Sequence, residues 1–168
     1  MFFPVEATLR VEGRVGAFFP LNSKFQRIYG DVYPCYEIEV GQTLCDCYEL
    51  WLNVDDYYRS TSVRGCGDTS LNILSFSAGP KRLFCFCNDF AFYTGLGISV
   101  AWARINDEII GREYDTSVGL VVKSGLYYYL NSCWFLDLFC DYNYQPAFHH
   151  RRVDIGGIRT GLGLGYAF

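Results

Sequence analysis

The segment "GGIRTGLGLGYAF", residues 156–168, has a glycine or another small residue at almost every second position. Such a segment does not suit a helix, because each interior glycine costs roughly 1 kcal/mol relative to alanine. With a period of two, Leu162, Leu164, Tyr166 and Phe168 share one face, and the opposite face carries mostly glycines together with Arg159. The segment therefore predicts a β-strand with one apolar face and one face that is nearly empty.

The same two-residue period recurs along the rest of the chain, and no segment has the periodicity of a helix. Segment 70–79 alternates less regularly than the others, and Pro80 is predicted to end that strand or to mark a bulge. With the closing segment, the predicted strands number eight. The other seven cover residues 8–19, 35–42, 48–54, 70–79, 92–103, 117–129 and 134–144.

The connections between these strands alternate in length. Long polar connections are predicted near 20–33, 56–69, 105–117 and 145–153, and shorter ones near 43–47, 80–90 and 130–133. An antiparallel meander puts alternate connections at opposite ends. The long connections therefore lie at one end of the barrel, and the short ones lie at the other, which we call the trimmed end. Outer-membrane barrels have this asymmetry and an even number of strands. We therefore predict one domain over residues 1–168, an all-β, eight-stranded, antiparallel, up-and-down transmembrane β-barrel.

Composition supports a membrane protein rather than a water-soluble one. Charged residues make up 19% of the chain, only three of them are lysines, and aromatic residues reach 18%. A soluble domain usually covers its surface with more charge. The net charge of −4 gives no electrostatic reason to expect nucleic acid as a partner. The first residues lack the basic region and apolar core of a secretory signal. We therefore expect a bacterial outer-membrane chain whose leader has been removed.

Alternation alone does not say which face of the barrel is outside, because a soluble lipocalin-like binding barrel has the same period. Seven glycines share the polar face, where they leave room for large side chains in a narrow lumen. The polar face also mixes both signs of charge, which can pair inside a closed barrel. We therefore place the apolar face in lipid and predict an ion network in the lumen. It consists of Arg10, Glu12, Arg14, Glu37, Glu39, Glu49, Lys123, Asp137, Asp141 and Arg159.

The closing strand also resembles the C-terminal signature of outer-membrane β-barrel proteins, a terminal phenylalanine preceded by apolar or aromatic residues at alternating positions. Here these residues are Leu162, Leu164, Tyr166 and Phe168. The resemblance implies that the barrel-assembly machinery recognises this segment during insertion into the membrane.

A narrower resemblance rests on "GRVGAFFP", "FQRIYG", "VVKSGLYYY", "FCDYNYQP" and "GIRTGLGLGYAF". These segments resemble the small barrel proteins of chlamydia-like bacteria, a group whose outer membranes are rich in disulfide-linked cysteines. The resemblance concerns architecture and implies no enzymatic activity.

Five of the eight cysteines fall at the trimmed end of the predicted barrel: Cys45, Cys47, Cys85, Cys87 and Cys133. The periplasm is oxidising, so disulfides within this rim, or to other envelope proteins, are the first interpretation. Free thiols, which behave as small apolar residues, are the second interpretation. A metal site is the third, because Cys-x-Cys is not the usual spacing of zinc ligands. No metal or cofactor is predicted.

The only basic run, His149, His150, Arg151 and Arg152, lies in a predicted external loop. It is either a solvated loop tip or a contact for the phosphates of lipopolysaccharide, since the arginine fork suits phosphate. An outer-leaflet lipid-modifying enzyme would need a nucleophile facing these histidines, and the sequence offers no obvious one.

An eight-stranded barrel is just wide enough for its side chains to fill it. The sequence therefore predicts a non-enzymatic membrane barrel with a filled lumen and a structural, anchoring or surface-interaction role. A narrow pore for small or apolar solutes is the alternative that keeps the same fold. The outer-leaflet lipid-modifying enzyme and the soluble lipocalin-like binding barrel are the other two alternatives.

Overall fold

A computed structural model shows a closed barrel of eight antiparallel strands, which confirms the predicted fold class. The structure describes residues 9–23, 26–27, 30–45, 47–63, 67–86, 89–107, 111–146 and 155–168, without the side chains of 59–63, 67–71, 105–107 and 111–113. The strands are β1 (Leu9–Pro20), β2 (Tyr33–Cys45), β3 (Tyr48–Val63), β4 (Gly67–Cys85), β5 (Phe90–Asp107), β6 (Gly111–Tyr129), β7 (Trp134–Tyr144) and β8 (Gly157–Ala167).

Each strand pairs with the next along the chain, and β8 returns to pair with β1. This closing seam runs from Arg10 opposite Ala167 to Pro20 opposite Gly157. Phe168 extends it, because its backbone N–H donates to the carbonyl of Leu9 at 2.9 Å. We call the end of the barrel that holds Leu9, Phe168 and the connections 46–47, 86–89 and 130–133 the turn rim, and the opposite end the loop rim.

The two central hairpins are longer than the sequence predicts. The predicted long connections at 56–69 and 105–117 are wrong, because strands β3 to β6 continue through most of these residues. Beyond the last β2–β3 and β6–β7 pairs an outward residue need not be apolar, so polar residues in these segments resemble those of a loop. We call these extensions, which comprise 57–63, 67–73, 101–107 and 111–119, the projecting hairpins.

The sequence predicted that Pro80 either ends β4 or marks a bulge. It does not end the strand, which continues to Cys85. The ladder from β3 runs through the Leu50–Pro80 pair. Toward β5 the ladder is interrupted, with register pairs at Ala78–Ile98 and Lys81–Gly95 and none between them. Because proline has no N–H to donate, the interruption falls where the sequence removes a donor.

Between β1 and β2 the backbone makes hydrogen bonds of helical spacing, from the Gln26 N–H to Asn22 O at 3.0 Å and from the Gly30 N–H to Gln26 O at 2.8 Å. The sequence predicted no helical turn there. Within the described residues, no helix is long and apolar enough to cross a membrane.

Candidate functional site in the barrel interior

The orientation of the two faces is the one predicted. Aliphatic side chains point outward, and Val15, Ile98 and Leu162 are 57%, 63% and 61% exposed. Charged side chains point inward, where Arg14 and Arg159 are buried. A soluble lipocalin-like barrel has the opposite arrangement, with aliphatic side chains at its centre. The soluble alternative therefore does not describe this molecule.

Glu39 is the centre of the interior ion network. Its carboxylate lies 2.6 Å from Lys123 Nζ and 3.3 Å from Arg14 Nη1, and it also contacts Lys81. Arg14 reaches across the lumen to Asp137 at 2.9 Å and Asp141 at 3.3 Å. One carboxylate thus joins three cations that come from different strands, which ties the walls of the barrel together.

The network continues toward both rims. On the loop-rim side, Arg159 Nη1 lies 2.8 Å from Asp55 Oδ1 and donates to the Tyr57 hydroxyl at 3.1 Å. On the turn-rim side, Arg10 Nη2 lies 2.7 Å from Glu49 Oε2. Glu12 contacts Arg14 directly. All ten residues predicted for the lumen lie inside, and the structure brings them together.

Glu37 differs from its neighbours in the network. Its nearest cationic nitrogens, on Arg159, Arg14 and Lys123, are 3.6 to 3.8 Å away. Neither of its carboxylate oxygens has a hydrogen-bond partner within the described residues. The described interior buries seven acidic side chains against five cationic ones, so acidic groups outnumber the cations there.

Sequence reasoning missed two members of the network, Lys81 and Asp55. Asp55 follows directly after the predicted strand that ends at 54, and Lys81 lies two residues after the one that ends at 79. Continuing the alternation of β4 through Pro80 puts Lys81 on the same face as Ser75 and Ser77, all of which are buried. The signal was present in the sequence, but the predicted strand was not continued past residue 79, because Pro80 was expected to end it or to mark a bulge.

Apolar side chains fill the lumen above and below the ions. The loop-rim cluster consists of Phe18, Tyr33, Cys35, Tyr57, Ile73, Ala101, Ala103 and Ile155. The turn-rim cluster consists of Leu83, Ala91, Tyr93, Tyr127 and Phe135. Rings within the clusters touch one another, with centroids 4.9 Å apart for Phe18 and Tyr57 and 4.5 Å apart for Tyr93 and Tyr127. A solute that crossed the lumen would have to displace both clusters.

The interior glycines make room for the largest of these side chains. A Cβ atom on Gly97 would lie 2.5 Å from Cζ2 of the buried Trp51 indole. At Gly125 it would meet the Tyr93 ring, also at 2.5 Å. The space that the glycines leave is therefore occupied by rings from an adjacent strand or the next one, which fill the narrow barrel.

The residues of the predicted assembly signal lie on the outer face of β8 at the turn rim. Leu162 and Phe168 are 61% and 66% exposed, and Leu164 is also exposed. The Tyr166 and Phe168 rings are in edge contact, with centroids 4.8 Å apart.

The cysteines of the predicted rim lie at or near the turn rim, with the exception of Cys87, which is outside the described residues. Cys45, Cys47, Cys85 and Cys133 are unpaired in the structure. A disulfide rim therefore stays a prediction. Cys140 faces the lipid side and Cys35 the interior. Among the described residues, no group of histidine, cysteine and acidic side chains could hold a metal ion.

The four residues predicted to contact lipopolysaccharide, His149, His150, Arg151 and Arg152, lie outside the described residues. Their role stays a prediction.

The chain matches no family model and no curated protein. It does match solved structures over nearly its whole length. Neisserial surface protein A is 17% identical with a TM-score of 0.78, over 96% of this chain and 97% of that one. The outer-membrane protein OprG of Pseudomonas aeruginosa is 14% identical with a TM-score of 0.68, over 95% of both chains. Ail, the attachment invasion locus protein of Yersinia pestis, is 15% identical with a TM-score of 0.60, over 95% and 96%.

The molecule thus has the fold of the eight-stranded barrels of bacterial outer membranes. At these identities the likeness concerns the fold alone. Together with the apolar exterior, it agrees with the predicted location in an outer membrane. The affiliation with chlamydia-like bacteria stays a prediction.

Proposed function

We propose that the chain is an integral outer-membrane barrel that is closed to solutes and has no catalytic activity. On this view it acts through its outer surface and its projecting hairpins, in anchoring or in surface interaction. The filled lumen carries the proposal, since an ion network is covered at both ends by apolar clusters. Moving hydrated ions through such a lumen requires breaking buried ion pairs, which is costly.

Conductance across a planar lipid bilayer tests the closed lumen. We expect the inserted wild-type barrel to give no sustained current steps above those of protein-free lipid. The matched variant replaces Phe18 and Tyr57 of the loop-rim cluster and Tyr127 and Phe135 of the turn-rim cluster with alanine, which should admit small ions. Sustained steps from the wild type would contradict the proposal and favour the narrow pore.

The projecting hairpins support a surface role. The β4–β5 ladder continues to Thr69 opposite Asp107, well beyond the last β2–β3 pair, Tyr36 with Asp56. Seven residues past that pair extend about 23 Å along a strand. We infer that this four-stranded projection extends outside the cell, where it could contact host or envelope molecules.

Cysteine labelling on intact cells tests this orientation. Tyr114, in a projecting hairpin, is 70% exposed, and Leu130, at the turn rim, is 52% exposed. In a Cys66→Ser background, we expect Tyr114→Cys to react with a membrane-impermeant maleimide on intact cells. Leu130→Cys should gain label only after the outer membrane is permeabilised. The reverse pattern would overturn the orientation.

Three partners belong to the same proposal: lipopolysaccharide at the basic run, the barrel-assembly machinery at β8, and envelope proteins disulfide-linked to the rim. If the rim is oxidised, thiol alkylation under non-reducing conditions should label few of its five cysteines, and full labelling would contradict it. For the absence of catalysis, replacing His149 and His150 with alanine should leave the lipopolysaccharide profile unchanged.

A further inference from the structure

The outer surface of the barrel has a groove beside the interrupted ladder at Pro80. It measures about 330 Å³. Six of its lining residues come from four adjacent strands: Tyr48, Pro80, Arg82, Thr94, Leu96 and Val122. Gly95 and the inward-facing Lys81 complete the lining. All six face outward, the side that the alternation assigns to lipid. The groove is therefore open to the bilayer and not to the lumen.

Arg82 is a charged residue on this otherwise apolar surface. Its guanidinium carbon lies 4.9 Å from the centroid of the Phe84 ring and 5.6 Å from that of Tyr48. No carboxylate of the described residues lies within ion-pair distance of Arg82, whereas every cation buried in the interior contacts at least one. A guanidinium has five N–H donors, and hydrocarbon offers none of them an acceptor.

The position of Arg82 along its strand indicates the depth at which it lies. It pairs with Tyr48, the first residue of β3, and lies three residues from Cys85, the last residue of β4. Arg82 is thus near the turn rim, at the level of lipid headgroups, where a long cationic side chain can reach the interface. Pro80, Leu96 and Val122 lie farther from that rim, toward the middle of the bilayer.

We propose that the groove is a binding site for a glycerophospholipid of the turn-rim leaflet. The Arg82 guanidinium binds the lipid phosphate, and the hydroxyl of Thr94, its register partner on β5, adds a donor. One acyl chain lies along Pro80, Leu96 and Val122. Charge complementarity carries the assignment, because the site pairs an unmatched guanidinium with an apolar channel at headgroup depth. It rests on the proposed membrane insertion.

Native mass spectrometry of the barrel in neutral detergent tests the headgroup contact. The probes are dioleoylphosphatidylglycerol and dioleoylglycerol, which share their chains and differ in the phosphate. For phosphatidylglycerol, we expect Arg82→Gln to raise the dissociation constant of the first bound lipid about tenfold, as losing one charge-assisted hydrogen bond does. Dioleoylglycerol should bind both proteins equally and more weakly than phosphatidylglycerol binds the wild type.

Arg104→Gln is the matched control, because Arg104 also lies on the outer face beside a tyrosine ring, at 5.8 Å from Tyr114, but outside the groove. It should leave first-lipid binding unchanged. Equal loss in the two variants would show general attraction to positive charge and overturn the site. So would an unchanged affinity in Arg82→Gln, or a wild type that binds dioleoylglycerol as tightly as phosphatidylglycerol.

Val122→Trp tests the acyl part by filling the groove without touching Arg82. It should weaken the binding of dioleoylphosphatidylglycerol and leave the binding of the short-chain dihexanoylphosphatidylglycerol unaffected. An equal effect on the binding of both lipids, or no effect on either, would refute the acyl assignment. Folding of each variant is checked by faster migration of the unboiled protein on a detergent gel. A variant that keeps the faster migration but loses lipid selectivity has lost only the function of the groove, and the proposed function of the barrel is not affected.

Discussion

Glu37 and Glu39 lie two residues apart on the same face of β2, yet their surroundings differ. Glu39 is in direct contact with Lys81, Lys123 and Arg14, whereas Glu37 has cations only at 3.6 Å or more and accepts no hydrogen bond within the described residues. Removing one partner of a buried ion pair leaves the other uncompensated, which typically costs 3–5 kcal/mol. The two carboxylates therefore contribute unequally to stability.

We predict that Glu39→Gln lowers the free energy of unfolding by about 3 kcal/mol, since three cations lose their shared partner. Glu37→Gln keeps the shape and removes no hydrogen bond of the carboxylate within the described residues, so it should change stability by about 1 kcal/mol or less. Urea unfolding in lipid vesicles, followed by tryptophan fluorescence, measures both. A Glu37→Gln variant at least as unstable as Glu39→Gln would contradict this view of the network.

Two glycines give a second comparison at the same scale. A Cβ on Gly97 would collide with the carbonyl of Ala78 and the Trp51 ring, whereas a Cβ on Gly13 would meet nothing within 4 Å. We predict that Gly97→Ala destabilises the barrel by about 1–3 kcal/mol through overpacking. Gly13→Ala should be neutral or slightly stabilising, because alanine restricts the unfolded chain. The same urea assay ranks them, and equal stabilities would show that Trp51 can move aside.

The interior residues could be predicted largely from alternation. Arg10, Glu12 and Arg14 follow one another on the inner face of β1, and the period of two assigns them together. What alternation does not give is the partner of each charge, because pairing across the lumen depends on the register of strands distant in sequence. The central position of Glu39 therefore emerges only from the structure.

At the scale of single elements, apolar alternation finds the part of a strand that lies in lipid. It misses the part that lies in water, because an outward residue there need not be apolar. The segments 57–63 and 111–117 belong to β3 and β6, although polar residues such as Arg59, Ser60 and Asp115 suggested loops. The closing strand was the easiest to assign, since its glycines exclude a helix and its outer face is apolar or aromatic except for Thr160.

The end of β8 carries a prediction for assembly. Phe168 is 66% exposed, and its backbone N–H donates to the Leu9 carbonyl of β1. Phe168→Ala should therefore leave the stability of the refolded barrel within about 0.5 kcal/mol of wild type, as for most surface substitutions. In cells it should reduce the amount of folded barrel several-fold if the side chain is the assembly signal.

The unboiled gel band from cell envelopes measures that amount, and Leu130→Ala, at another exposed position of the turn rim, is the control. Equal amounts of folded barrel from the Phe168→Ala variant and the wild type would remove this residue from the assembly signal.

At the scale of the whole molecule, the orientation of the wall was predictable because two independent features agree. Glycines opposite bulky rings indicate a crowded interior, and mixed charges on the same face indicate ion pairs within it. The sequence could not show that the ions lie between two apolar clusters. That layering requires Phe18 and Tyr57, from distant strands, to meet at one height in the barrel.

A closed hydrogen-bonded ring predicts a characteristic response to heat. Every strand has two bonded neighbours, so no edge offers a starting point for unfolding in detergent. The unheated protein should migrate faster on a dodecyl sulfate gel than the boiled protein, because the folded barrel is compact and binds less detergent. Identical migration of the two samples would argue against a stable closed barrel.

The β1–β8 seam imposes an order on biosynthesis. β1 and β8 stand at opposite ends of the sequence, so one side of β1 stays unmatched until the last strand is available to pair with it. A truncated chain that lacks β8 has two unpaired strand edges, on β1 and β7, and cannot reach the detergent-resistant form. Closure of the barrel thus requires all eight strands, and a chain without the last strand remains exposed to aggregation and degradation.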